Sequence, residues 1–172
     1  MRFQPKPRLH TIIKTPKDYR KSHPRAAFIT FEKADCCVGL EDDKDYMPPM
    51  PDIPQLALLS IVNGRGSINE VEVLGEKALT WWTSPGRQGG PVMQFDKPYA
   101  HVSVAVFNLL PFDIAVEVWG HESPDKGEFA SISIPRGEHL IVANELFHLE
   151  KIQQISLFAS TAGLGVHYLM LV

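Results

Sequence analysis

Nucleophile, phosphate-binding and metal-binding motifs are the sequence features that would predict an enzyme. The chain contains no Gly-x-Ser-x-Gly elbow, no Walker phosphate loop and no His-Glu-x-x-His motif. Gly64-Arg65-Gly66-Ser67 is rich in glycine, but it lacks the lysine and the following helix of a phosphate loop, so a hairpin explains it better. The sequence therefore predicts a non-enzymatic protein that needs no cofactor.

Histidines on predicted strands are the remaining candidates for a metal site, because imidazole and carboxylate groups bind zinc. The candidate ligands are His101, His121, Glu122 and His139. The segment 134–139 is similar to the Pro-x-Gly-x-x-His segment of cupins, but it is one residue short and no His-x-His with a following glutamate precedes it. We therefore predict no metal site and keep a cupin-like metal enzyme as the least favoured alternative.

Tryptophans could bind sugars by stacking on the rings. Trp81 and Trp82 are adjacent, and Trp119 is a third candidate. Neighbouring residues on a strand point to opposite faces, so at least one of the pair should face outward or into an interface while the other fills the core. A carbohydrate-binding β-sandwich module is thus an alternative function.

Charge is divided unevenly along the chain. The first 25 residues hold eight of the 17 Lys and Arg and one of the 20 acidic residues, which leaves nine basic and 19 acidic residues for the rest. The predicted partner-binding residues are Arg2, Lys6, Arg8, Lys14, Lys17, Arg20, Lys21 and Arg25. Nucleic-acid phosphates would suit these cations, but few aromatic side chains for base stacking accompany them, so we favour a protein partner.

Composition divides the chain into residues 1–54 and 55–172. The first part is basic over 1–25, with Pro5, Pro7, Pro16 and Pro24, and acidic over 32–52. Prolines fix the backbone in extended geometry, and apart from one short strand at 26–31 this part has little apolar content. We therefore predict an extended arm that does not fold by itself, with a polyproline-type spacer near its end.

Residues 55–172 alternate between apolar and other side chains in short runs, which is typical of β-strands. The clearest runs are 102–106, 112–118 and 130–134, and the almost wholly apolar 164–172 should be a central strand. Asn63-Gly64 suits a tight hairpin. Residues 92–95 suit an edge strand, and residues 144–152 suit a helical turn capped by Asn144. These patterns predict an all-β fold: one antiparallel β-sandwich or jelly-roll-like domain with an extended N-terminal arm.

Targeting signals are not evident in this sequence. No run of about 18 apolar residues predicts a membrane-spanning helix, and the N-terminus lacks the apolar stretch of a secretory signal. Cys36 and Cys37 are adjacent, so we expect two free thiols made in a reducing compartment. These features favour synthesis in the cytoplasm and no membrane partner.

The organisation of the chain resembles that of structural proteins of tailed-bacteriophage particles, such as capsid decoration proteins. The resemblance lies in the basic arm, the small β-domain and the short alternating strands over Val102–Asn108, Ile132–Gly137 and Val166–Leu169. The resemblance implies a virion component that stabilises a capsid or tail without catalysis. It also implies capsid or tail subunits and copies of itself as partners, in a homo-oligomer such as a trimer, with the arm lying on a neighbour. No functional residue is carried over from this resemblance.

Overall fold

The computed structural model describes residues 9–11, 14–33, 38–46, 53–160 and 163–172. The helices in this part of the chain are α1 (Pro16–Ser22) and α2 (Ala143–Leu146). The strands before residue 55 are β1 (Leu9–Thr11), β2 (Ala27–Thr30), β3 (Val38–Leu40) and β4 (Asp45–Tyr46). The later strands are β5 (Leu56–Val62), β6 (Gly64–Val71), β7 (Glu76–Thr83), β8 (Gly90–Tyr99), β9 (Val102–Asn108), β10 (Ile114–Ser123), β11 (Lys126–Ile134), β12 (Gly137–Val142), β13 (Ile152–Phe158) and β14 (Leu164–Leu171). Neither described helix is long and apolar enough to cross a membrane.

The strands form two antiparallel sheets. The eight-stranded sheet has the order β1-β12-β9-β14-β7-β6-β3, with β2 added beside β14. The six-stranded sheet has the order β11-β10-β13-β8-β5-β4. Apolar side chains from both sheets, among them Val104, Leu169, Met93 and Ile155, pack into one core between them. The predicted antiparallel, sandwich-like all-β fold is therefore confirmed.

Two-residue alternation places the core residues of β10 correctly, since Ile114, Val116 and Val118 are buried while their neighbours are not. Phe112, however, precedes the strand and is 61% exposed, so its predicted place in this apolar row is wrong. In β9 all seven residues are buried. The eight-stranded sheet is thus covered on both faces at its centre.

A second apolar cluster accounts for this two-sided burial. Phe28, Ala105, Leu140 and Tyr168 pack together on the face of the eight-stranded sheet that points away from the main core, and Tyr19 of α1 packs against them. The predicted central position of the last strand is also confirmed, since β14 pairs with β9 along its length.

Helix α1 corrects the prediction that residues 1–25 contain no regular structure. Thr15 caps the helix through a capping box with Asp18, and Pro16 occupies the first turn, where a proline lacks no needed hydrogen bond. The pattern Thr-Pro-x-Asp is therefore a helix start, not a break in structure.

The described residues of the predicted arm belong to the two sheets. Strand β1 pairs with β12, β2 with β14, β3 with β6, and β4 with β5. The strand expected at 26–31 is present as β2, but Phe28, Ile29 and Phe31 are buried against this chain's own domain. The expected extended arm is thus corrected for these residues, because their apolar side chains close the sandwich. The spacer predicted at 47–54 lies outside the described residues except for its last two positions, and Cys36 and Cys37 also lie outside them.

Asn63 and Gly64 do not form the predicted hairpin. Strand β5 lies in the six-stranded sheet and β6 in the eight-stranded sheet, so the chain changes sheets at this point. Asn63 takes a positive φ of 54°, and a side chain at Gly64 would collide with the backbone carbonyl of Trp82. The two residues permit a sharp corner, which requires the same backbone freedom as a hairpin turn.

Two further local predictions are corrected. The expected edge strand at 92–95 is the middle of the longer β8, which lies between β13 and β5 inside its sheet. Asn144 lies inside α2 and does not cap it. Its side chain instead accepts a hydrogen bond from the Val102 N–H at 3.1 Å and donates one to the Ala100 carbonyl, which fixes α2 to the start of β9.

Candidate functional site

The two adjacent tryptophans point to opposite faces of β7, as predicted. Trp81 is 1% exposed in the main core, whereas Trp82 is 46% exposed. Only Trp82 is therefore available to a ligand or partner. The indole N–H of Trp81 is buried and has no hydrogen-bond partner among the described residues.

Trp82 borders a shallow cleft of about 520 Å³. Its other lining residues are Gly39, Leu40, Glu41, Asp42, Arg65 and Gly66. Arg65 lies directly across from Trp82 in the β6–β7 ladder, and Asp42 Oδ1 accepts a hydrogen bond from the Gly64 N–H at 3.1 Å. The ion pair with Lys44 lowers the pKa of the Glu41 carboxyl below its usual value. The Trp82 cleft thus places an indole face beside two carboxylates and a guanidinium.

The predicted basic residues fall into two groups. Arg2, Lys6 and Arg8 lie outside the described residues. Lys14, Lys17, Arg20, Lys21 and Arg25 are all exposed, on or beside α1. We call these five residues the basic helix patch.

Aromatic contacts hold the basic helix patch on the eight-stranded sheet. The Tyr19 ring lies 6.5 Å from that of Tyr168, and the Arg20 guanidinium lies over the Phe28 ring at 5.0 Å. Apolar and aromatic contacts therefore anchor the helix, while the five basic residues remain largely exposed to solvent. These cations can bind acidic groups of a partner without leaving their own domain.

Exposed apolar side chains gather where two loops meet at one end of the eight-stranded sheet. Val73 and Leu74 from the β6–β7 turn and Leu109 from the β9–β10 loop line one cleft of about 320 Å³. Val73 is 80% exposed and Leu109 41% exposed. Phe112, which is 61% exposed, lies farther along the second loop and outside the lining of this cleft. We call these four residues the loop-end patch.

Asn108 holds the β9–β10 loop in place. It is 1% exposed, its amide donates to the carbonyls of Phe112 at 2.8 Å and Ile134 at 2.9 Å, and its Oδ1 accepts from the Leu110 N–H at 2.8 Å. Because buried polar groups are costly unless paired, this fully used amide fixes the loop. The loop-end patch is therefore presented by an ordered segment.

His167 joins three strands of the eight-stranded sheet near the same end. Its Nδ1 lies 2.9 Å from Glu138 Oε1 of β12, and its Nε2 lies 2.6 Å from Glu76 Oε2 of β7. Burial alone would lower the pKa of His167, but the hydrogen bonds to Glu138 and Glu76 outweigh it and raise the pKa above the ordinary value. Two ionised carboxylates accept from both ring nitrogens only when the imidazole is protonated. Sequence reasoning missed this arrangement, which we call the His167 clamp, because its members are far apart in the chain.

The outer face of the six-stranded sheet carries a stack of rings on β10 and β11. The Trp119 ring lies 4.7 Å from Phe129 and 6.1 Å from His121, nearly parallel to both. Beside His121 is a pocket of about 290 Å³. Its lining residues are Gln94, His121, Ser123, Pro124, Gln153 and Gln154. The alternating pattern predicted the strands but gave no reason to select these glutamines.

The histidines considered for a metal site are not brought together. His121 lies on β10 of one sheet, His139 on β12 of the other, and His101 between β8 and β9. Across the part of the chain that the structure describes, no three His, Cys, Asp or Glu residues are grouped so that they could hold a metal ion.

Comparison of the chain with protein-family models, curated proteins and solved structures found no match.

Proposed function

We propose that this protein is a non-enzymatic structural component of an assembly such as a tailed-bacteriophage capsid or tail. Its partners in this proposal are neighbouring subunits, with a second copy of this chain as the occupant of the loop-end patch. The observation that carries the proposal is the ordered exposure of Val73, Leu109 and Phe112. Contiguous exposed apolar patches with polar residues around them mark interaction sites on soluble proteins.

The cleft in the loop-end patch has the composition of a protein interface. Val73, Leu74 and Leu109 are among its apolar lining residues, and Arg136 and Glu138 supply charged side chains to the lining. Interfaces commonly combine an apolar centre with a polar rim. Complete burial of each large apolar side chain contributes about 1.5–3 kcal/mol, so several together can offset part of the cost of association.

Charge supports a second copy as the partner. The basic helix patch exposes five cations, whereas the chain after residue 25 has an excess of ten acidic residues. Opposite charges on two copies would speed and orient their encounter. In this form of the proposal, the basic segment acts from the surface of its own domain rather than as a free arm.

The test compares the oligomeric state of the full chain with that of a Val73→Ser, Leu109→Ser, Phe112→Ser variant, by light scattering over a range of concentrations. Because all three side chains are exposed, the variant should fold normally. We expect the wild type to self-associate and the variant to remain a monomer. Phe129→Ser is the matched control, since Phe129 is 57% exposed on the other sheet. A wild type that stays monomeric, or a variant that associates equally well, would overturn the proposal.

A second candidate function is carbohydrate binding at the Trp82 cleft. It is favoured by the exposed indole of Trp82 beside Arg65 and Asp42. Aromatic faces stack on sugar rings, and carboxylate and guanidinium groups bind hydroxyls. Loss of glycan binding in Trp82→Ala, with the oligomeric state unchanged, would favour this function over assembly alone.

A further inference from the structure

The pocket on the outer face of the six-stranded sheet is built by residues from three neighbouring strands. Gln94 of β8 pairs with Gln154 of β13, and Gln154 pairs with His121 of β10, so these three side chains form one row across the sheet. The β8–β13 ladder is irregular between Ile152 and Gln154. Successive residues of a regular strand face opposite sides, and this irregularity explains how Gln153 lines the same pocket.

Polar groups in this pocket lack partners within the protein. The side-chain amides of Gln94, Gln153 and Gln154 are half-buried, and they have no hydrogen-bond partner among the residues that the structure describes. The Nδ1 atom of His121 is buried and also unpartnered in this part of the chain. Since most buried polar atoms in proteins are paired, the unpaired Nδ1 of His121 marks this site, and the half-buried glutamine amides beside it are free to bind a ligand.

The His121 ring is held in position before any ligand binds. It stacks on Trp119 with an interplanar angle of 11°, and a side chain at Gly127 would collide with its Cδ2 and Nε2 atoms. Trp119 is fixed in turn by the Phe129 ring and by a hydrogen bond from its indole N–H to Glu117. A preorganised side chain loses less entropy on binding than a mobile one.

The lining selects the chemical class of the ligand. Among the residues that the structure describes, no charged side chain lines the pocket, and an ionised ligand would lose hydration there without a counter-charge. Each glutamine amide offers both donors and an acceptor, which matches the paired hydroxyls of a sugar. The volume of about 290 Å³ lies just below the usual range for ligand pockets, roughly 300–1,000 Å³. We propose that this pocket binds a neutral sugar residue of a glycan, separately from the Trp82 cleft and in addition to the assembly function.

The test is binding of the full-length protein to an array of neutral and acidic glycans, followed by titration calorimetry with the neutral oligosaccharide that binds best. We expect Gln94→Ala and Gln154→Ala each to weaken binding about two- to tenfold, as expected for losing one hydrogen bond. Gln88→Ala is the matched control, because Gln88 is exposed and lies outside the pocket. Trp82→Ala should also bind normally.

Each other outcome overturns the inference in a recognisable way. Binding that is lost in Trp82→Ala and kept in the Gln94→Ala, Gln154→Ala double variant would place the sugar in the Trp82 cleft. Binding only to acidic glycans, or to nothing on the array, would contradict the neutral pocket. The oligomeric state of the double variant is measured in parallel. If the double variant self-associates like the wild type, the glycan pocket and the assembly surface are separate. Failure of glycan binding then leaves the assembly proposal untouched.

Discussion

At the scale of single residues, the His167 clamp couples the protonation of one imidazole to the joining of three strands. Glu76 and Glu138 face its two ring nitrogens, and the Tyr168 ring lies 5.2 Å away, nearly edge-on. Burial and the neighbouring Tyr19, Glu138 and Glu76 raise the pKa of the Tyr168 hydroxyl, so it stays neutral over the range in which His167 titrates. The charge state of the clamp therefore changes mainly through the imidazole.

We predict that the clamp stabilises the fold more at low pH than at high pH. The pKa of His167 is raised in the folded state, while the pKa of an unfolded histidine is about 6.5. The stabilisation is then complete below the unfolded pKa and is lost as the pH rises through the folded pKa. In His167→Gln the free energy of unfolding, measured with urea, should fall by about 1–3 kcal/mol at about pH 6, because one glutamine cannot satisfy both carboxylates.

The difference between the wild type and His167→Gln should shrink steadily from about pH 6 to about pH 9. His101→Gln controls for histidine titration elsewhere, since His101 is exposed, and it should change the curve little. A difference that stays constant or grows with pH would show that the imidazole is not held in its charged form.

At the scale of secondary-structure elements, the corner at Gly64 decides which sheet each half of the β5–β6 segment joins. A Cβ at Gly64 would collide with the carbonyl of Trp82, whereas a Cβ at Gly39 of β3 would have no atom of the described residues within 4 Å. We predict that Gly64→Ala lowers the free energy of unfolding by about 2–4 kcal/mol, because the backbone must shift to relieve the clash. Gly39→Ala should be neutral within about 0.5 kcal/mol or slightly stabilising. Equal urea midpoints for the two variants would contradict the assigned corner.

The alternation of apolar and polar residues predicts most strands, because side chains on a strand alternate between its two faces and one face packs on the core. It could not predict which strands are neighbours. Asn63-Gly64 supplies the same positive-φ freedom to a hairpin and to a change of sheet, and only the packing of both sheets decides between them. The prolines of the N-terminal segment predict extended backbone, but a proline directly after Thr15 also suits the start of a helix, and Pro16 takes that place in α1.

The candidate sites were predictable to different degrees. Opposite orientation of Trp81 and Trp82 follows from strand geometry alone, so an outward tryptophan was expected. The pocket beside His121 depends on an irregular ladder and on pairing between β8, β13 and β10. The His167 clamp combines residues 29 and 91 positions away from its histidine. Neither arrangement has a signal in local sequence, because both arise from sheet order.

At the scale of the whole molecule, the basic segment has a structural role besides its charge. Its Tyr19 covers the outer cluster of the eight-stranded sheet, and β1 pairs with β12. Without these elements, Phe28, Leu140 and Tyr168 would face water. The division into residues 1–54 and 55–172 remains a prediction about independent folding, and these contacts indicate that the second part folds less stably alone.

We predict that deleting residues 1–26 lowers the free energy of unfolding by about 2–5 kcal/mol, because the exposed cluster loses its apolar cover. The truncated chain should also bind a hydrophobic dye and aggregate on heating. The matched control is a Lys17→Gln, Lys21→Gln, Arg25→Gln variant, which removes exposed charge and keeps α1. It should unfold within about 0.5 kcal/mol of the wild type but self-associate more weakly. If the truncated chain were as stable as the full chain, the segment would serve binding alone. If the charge variant self-associated normally, the segment would serve the fold alone.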